Sequence, residues 1–152
     1  MFEVQTELRQ SYLAKLSTIE ISGTVIPFYD ERVGAEPAQI GTAIAYGIIT
    51  NQTASDIMIK CGFYQDCSIT IDIVTKFPKQ KGGKLLSEQI SNEVLQLLRT
   101  GNTLDYPTMD NFQIVTVRKT LDRGLTEDNV ADTVYRKILI FTHKIKQIST
   151  TT

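Results

Sequence analysis

The sequence predicts an α+β protein: a mostly antiparallel β-sheet packed against one long amphipathic helix plus an N-terminal helix. Three observations carry that prediction. Between residues 66 and 102 the hydrophobic period changes once, from alternation to about 3.6 residues. Apolar residues at helical spacing open the chain, at Val4, Leu8, Tyr12, Leu13 and Leu16. A long strand-like run, residues 133–146, closes it. A strand with one apolar face followed by a helix with one apolar stripe is the smallest pair of elements that can cover each other, so the core is expected to start there.

In chain order, residues 3–16 form the first helix, with Glu7, Arg9, Gln10 and Lys15 between the apolar positions. Two short extended pieces follow, 19–22 and 25–29, punctuated by Gly23 and Pro27, and the proline suits an edge strand. Residues 30–38 are polar, acidic and broken by Gly34 and Pro37, which reads as a surface loop. A strand over 40–50 carries Ile44, Tyr46, Ile48 and Ile49, with Gly41 and Gly47 marking a bulge or a close neighbour. Residues 51–56 read as a turn or loop, and 57–64 as either a short strand or an extended connection. In the central strand, 67–75, Ile69, Ile71 and Ile73 share one side and Ser68, Thr70 and Asp72 the other.

After a breaker at 77–83, Leu86, Ile90, Val94, Leu97 and Leu98 recur opposite Glu88, Asn92 and Gln96, and Gly101 stands where helix C-termini favour glycine. Residues 102–111 form a second polar loop, and 112–121 a strand rich in β-branched residues. Asp122-Arg-Gly124 is a turn signal, followed by an acidic connection through Thr126, Glu127, Asp128 and Asp132. The last strand, 133–146, is apolar on both faces at its centre: Ile138 and Ile140 on one side, Tyr135, Leu139 and Phe141 on the other. Either the two helices cover opposite faces of the sheet, or one face is packed by something outside the chain, as an oligomer contact would do. Residues 1–148 are read as a single α+β domain and 149–152 as a flexible tail.

The totals exclude several classes. A chain of 152 residues fits one domain and buries about two thirds of its unfolded surface. With Lys+Arg 16 against Asp+Glu 17, nothing suggests a duplex-binding surface. No window approaches the roughly 18 apolar residues of a membrane span, and the N-terminus is polar and acidic where a signal peptide is basic and then apolar. Cytosolic synthesis and two reduced thiols, Cys61 and Cys67, are expected.

Catalytic groups do not converge. His143 is the only histidine, and no second histidine or cysteine pair at ligand spacing supports a zinc site. Gly82-Gly83-Lys84 opens a helix, but Pro78 and Leu85 stand where a phosphate-binding loop needs glycine and a hydroxyl. The same connection is basic, with Lys76, Lys79, Lys81 and Lys84, while the loop after Tyr29 carries Asp30, Glu31 and Glu36. Such runs are ordinarily solvated faces; in a head-to-side oligomer they would suit two unlike surfaces of neighbouring copies.

With the elements in this order the sequence resembles the small tail completion and head-tail joining proteins of tailed bacteriophages. The resemblance runs through residues 8–16 as opening helix, Ile26-Pro-Phe-Tyr-Asp30, and Ala45-Tyr-Gly-Ile-Ile-Thr50 as first full strand. It continues through Ser68-Ile-Thr-Ile-Asp-Ile73 as central strand, 85–98 as main helix and Lys137-Ile-Leu-Ile-Phe-Thr142 as last strand, about residues 5–146 in all. It departs in long connections at 51–66 and 102–111. The resemblance implies a virion protein of the tail or neck, assembled in the bacterial cytoplasm, without enzymatic activity, cofactor or metal. Such proteins form a ring, commonly a hexamer, at the end of the tail tube or in the neck, where they stop tail polymerisation and dock the head-tail connector. Their expected partners are the tail tube protein and connector proteins, with DNA passing through without specific binding and no membrane involved. The candidate contacts are Asp30, Glu31, Glu36, Lys76, Lys79, Lys81, Tyr135, Leu139 and Phe141. The alternative is a cellular α+β module that dimerises through its last strand and holds a small ligand or peptide.

Overall fold

The computed structural model describes residues 3–32, 37–57, 59–98 and 106–148. Helix α1 spans Val4–Leu16, and its buried residues Val4, Leu8, Tyr12 and Leu16 form one straight stripe at four-residue spacing. The Glu3 carboxylate caps it by accepting the Gln5 N–H at 3.0 Å. Strands β1 (Glu20–Ile21) and β2 (Thr24–Val25) make a small separate hairpin. The main sheet comprises β3 (Phe28–Asp30), β4 (Ala38–Ile40), β5 (Ala43–Ile57), β6 (Tyr64–Pro78), β7 (Phe112–Asp128) and β8 (Asp132–Gln147). Helix α2, Leu85–Leu98, joins β6 to β7 and buries Ile90, Val94 and Leu98.

The strand order is β3-β5-β6-β8-β7, with β4 also on β5. Two short strands share the outer edge of β5: β4 pairs antiparallel with its start, and β3 runs parallel beside Gly47, Ile48 and Ile49. The other ladders are antiparallel, and β8 is bonded along nearly its whole length, to β6 on one side and β7 on the other. Pro27 lies just before the short edge strand, where its missing N–H costs no ladder bond, and its carbonyl accepts the Gly47 N–H at 2.9 Å.

The strands run further than their hydropathy indicates. Residues 51–56, expected as a loop, continue β5 and pair with β6 down to Ile57↔Tyr64. A register shift interrupts β5 between Ile49 and Gln52, not at Gly41 or Gly47, and Gly47 marks a close neighbour instead, the ring of Phe28. Past the shift, the residues of β5 are largely solvent-exposed on both faces, so their polarity carries no alternation to read. Of 57–64, Ile57 ends β5, Tyr64 starts β6, and residues 59–63 connect them. Asp122-Arg-Gly124 is not a turn but mid-strand in β7, opposite Leu139, Ile138 and Lys137. The reversal comes at residues 129–131, where the Asn129 N–H donates to the Asp132 carbonyl at 2.8 Å. Gly101, like the other residues at 99–105, and the tail 149–152 lie outside the described residues.

The helices are of nearly equal length, 13 and 14 residues, so neither is the one long helix of the expectation. They also lie on the same face of the sheet. Val4, Leu8, Tyr12 and Leu16 join Ile90, Val94 and Leu98 over Cys67, Ile69, Ile71 and Ile73 of β6 and Leu139, Phe141 and Ile145 of β8 in one core. The arrangement with helices on opposite faces is therefore corrected: among the described residues the second face carries no helical layer.

Gly47 shows how closely the edge is fitted. A methyl group added there would fall inside the ring of Phe28, its partner across the parallel ladder. Gly47→Ala is expected to lower unfolding free energy by about 1–3 kcal/mol in urea titration, through displacement of that ring. Gly124→Ala, with nothing within 4 Å of the added carbon, is expected to stay within about 0.5 kcal/mol.

Candidate functional site: the open face of the sheet

Odd-numbered residues of β6 and β8 point at the helices, so the even-numbered ones point away. On that open face β6 presents Thr70, Asp72, Val74 and Lys76, and β8 presents Val134, Arg136, Ile138, Ile140, Thr142 and Lys144. Flanking them are Ile44, Tyr46 and Ile48 on β5 and Arg118, Leu121, Arg123, Leu125 and Glu127 on β7. A small apolar cluster of buried Tyr46, Val74 and Val134, with partly buried Tyr29 and Ile48 against it, packs on this side. Ile138 and Ile140 are half-buried, and Ile44 and Leu121 are exposed.

The centre of the face is fixed by charge. Asp72, with a side chain 7% exposed, receives the Arg136 guanidinium, which also reaches Glu127 at 3.2 Å. The hydrogen bond to Asp72, reinforced by both carboxylates, raises the guanidinium's already high pKa further. A row of cations lies beside this cluster. Arg118, Arg123, Lys144 and Lys146 share the open face and have no ion-pair partner among the described residues. Asp66, next to Lys144 across the ladder, is the nearest carboxylate on their ladder rows.

The residues singled out from sequence are not brought together. Asp30 is paired with Arg9 of α1 at 3.0 Å, and Arg9 also donates to Gln52 at 2.7 Å. Glu31 is exposed beside it, and Glu36 lies outside the described residues. Lys76 is half-buried on the open face with its ammonium 5.7 Å from the centre of the Tyr46 ring. Lys79 and Lys81 are exposed in the connection after β6. Tyr135 stands on the helix side, its ring edge-on to Phe77 and its hydroxyl 3.4 Å from the Gly82 carbonyl. Leu139 and Phe141 are fully buried in the chain's own core, so they have no surface to offer a neighbour. Their place as contact candidates passes to Ile138 and Ile140 on the reverse side. The unpaired cations of β7 are not legible in the sequence because residues 122–132 read as turn and connection, and the face shared by Leu121, Arg123, Leu125 and Glu127 mixes apolar and charged side chains.

His143 belongs to the core. Its Nδ1–H donates to the Cys67 carbonyl at 2.9 Å, leaving Nε2 to accept the Tyr12 hydroxyl, whose ring stands edge-on. Burial pushes the imidazole down to about 4 and raises the Tyr12 phenol well above its usual value. Both groups are neutral across the ordinary pH range, and this network joins α1 to β6 and β8. Cys61 is exposed and Cys67 buried, both as free thiols, with burial pushing Cys67 up to about 12. No group of three His, Cys, Asp or Glu side chains converges as a metal site among the described residues. No helix among them is long and apolar enough to cross a membrane.

No family model matches the chain, and no curated protein is similar to it. Among solved structures, it is similar to a chain from the virion of a native gene transfer agent particle, with a TM-score of 0.57 at 12% sequence identity, covering 94% of each chain. At that identity the likeness is one of fold.

Two outcomes follow from these networks. Between pH 6.5 and about 4 the unfolded chain protonates His143 while the folded chain keeps it neutral. Its contribution is therefore complete above the upper value and lost as pH falls through that window, by roughly 3 kcal/mol in all. Urea midpoints measured across the window should fall in the wild type, and His143→Gln should remove that part of the fall. Asp72→Ala leaves Arg136 only the more exposed Glu127 and is expected to cost roughly 1–3 kcal/mol in the same titration. Glu127→Ala should cost less than about 1 kcal/mol.

Proposed function

We propose that the chain is a structural, non-enzymatic protein of a phage-like virion. It assembles as a ring, hexameric as in the tail completion and head-tail joining proteins its sequence resembles, at the end of the tail tube or in the neck. The observation that carries this reading is a fold shared over 94% of the chain with a chain of a virion particle. The open face supports it: a β-sheet with half-buried isoleucines and no helical layer is the kind of surface that subunit contacts cover.

In that role the ring stops tail polymerisation and offers docking surfaces to the tail tube protein and the head-tail connector. A net charge of -1 suits a conduit for DNA rather than a tight binder, because each neutralised phosphate adds salt-dependent affinity.

The test is particle association in the cells that encode the protein. The chain is expected in purified tailed particles by mass spectrometry, with immunogold label at one end of the tail or at the neck in negative stain. Deleting its gene should give tails of uncontrolled length if it ends the tube, or normal tails detached from capsids if it belongs to the neck. A chain that stays in the soluble fraction, with a deletion that leaves particles intact, would overturn the reading.

A further inference from the structure

We infer that the open face of the sheet is the docking site for helix α2 of a second copy of this chain, in a head-to-tail contact. The inference rests on the proposed assembly into a ring and names the two surfaces that make it.

One surface is the outer half of β8 and β7, where Ile138, Ile140 and Leu121 are flanked by the unpaired Arg118, Arg123 and Lys144. A purely solvated face needs no half-exposed isoleucines at its centre, and a phosphate-binding face needs no apolar band. The combination fits an amphipathic element of negative charge. The second surface is the side of α2 turned away from its own sheet. Leu85 is 68% exposed there, Gln89, Asn92 and Gln96 continue the same side, and the only charges within the helix are Glu88 and Glu93. Neither carboxylate has a partner among the described residues. The lengths agree: 14 residues of helix span about 21 Å, and the strand from Ile138 to Lys146 spans about 27 Å.

Docking α2 on the open face of the next copy turns a two-layer protein into a repeating helix-sheet-helix stack, in which Leu85 meets the apolar band from the start of the helix, Gln89, Asn92 and Gln96 lie along the sheet, and Glu88 and Glu93, on the two flanks of that side, supply the charge that meets the cations. Because the two surfaces are unlike, the contact is heterologous, and a heterologous contact closes into a ring when its rotation allows. It also covers the second apolar face of β8, which nothing within the described chain covers.

The experiment uses charge reversal at exposed Arg118, Arg123 and Glu88 and at half-buried Glu93 of the full chain, read by native mass spectrometry and sedimentation velocity over a concentration series. The face variant is Arg118→Glu with Arg123→Glu; the helix variant is Glu88→Lys with Glu93→Lys. Wild type should form higher oligomers that weaken with salt, and each variant alone should assemble at least about tenfold more weakly. A one-to-one mixture should recover assembly with equal numbers of the two variants in each oligomer, since each then meets an opposite charge. Far-ultraviolet circular dichroism confirms that both remain folded. Variants that assemble like wild type, or a mixture that does not recover, would overturn the inference. A wild type that is monomeric at every concentration also overturns it, while the virion reading stands or falls on its own particle test. So does binding to purified tail tubes or to DNA that only the face variant loses, because the face then belongs to that partner.

Discussion

The structure depends on one packing constraint: two short helices must lie side by side on the same face of a sheet whose centre is β6 and β8. The inward residues Ile69, Ile71 and Ile73 and their neighbours Leu139 and Phe141 are fully buried only because α1 and α2 together cover them. Helix α2 packs on β6 and β8 while α1 packs on β5 and β3, so the apolar face of the sheet is covered across its width only by both helices together. The N-terminal helix is thus not an accessory. Its four-residue stripe closes the core, and its polar side is tied to the sheet by Arg9 to Gln52 and Asp30, and by Glu7 to Asn111.

That constraint explains why the one histidine is where it is. The junction of α1 with β8 brings Tyr12 over His143, and both have polar atoms that burial leaves without water. The pair solves the problem internally: phenol to imidazole, imidazole to the Cys67 carbonyl, with no charge on any member. A lone histidine in such a network ties one helix to the sheet.

The core was legible in the sequence because burial on one side imposes a period. The four-residue stripe of α1, the alternation at residues 69–73 and the stripe of α2 each follow from a single covered face, and their observed bounds lie close to those expected. Legibility failed where no side is covered. In β5 beyond Gln52 and in β7 beyond Lys119, most positions are exposed, so polar residues are free to occupy strand and loop alike. Those stretches are strands because β6 and β8 beside them are long, and a ladder partner sequence elsewhere in the chain cannot be inferred from local pattern. The same failure hid the open face. A two-sided strand does not say which side meets its own helices, so Leu139 and Phe141 read from sequence as surface contacts although they lie in the core.

The distribution of irregularities along β7 disfavours strand addition at the long edge of the sheet. Strand β7 is an outer strand of 17 residues, the geometry that invites another strand to add to it. Two register shifts interrupt it, between Ile114 and Thr116 and between Lys119 and Leu121, and each leaves an unpaired residue that bends the strand. Arg118, Lys119 and Arg123 add charge along the same edge, and Lys119 is held by Asp122 at 2.7 Å, which in turn binds Lys137 at 2.9 Å. The opposite edge is occupied at β5 by β3 and β4. Strand addition is thus discouraged on the long edge by bulges and charge and blocked on half of the other by short strands. The sheet's remaining unsatisfied surface is its open face, where the apolar residues are central and the charges lie to one side. A surface so arranged offers shape and charge together, the two features by which protein contacts gain specificity.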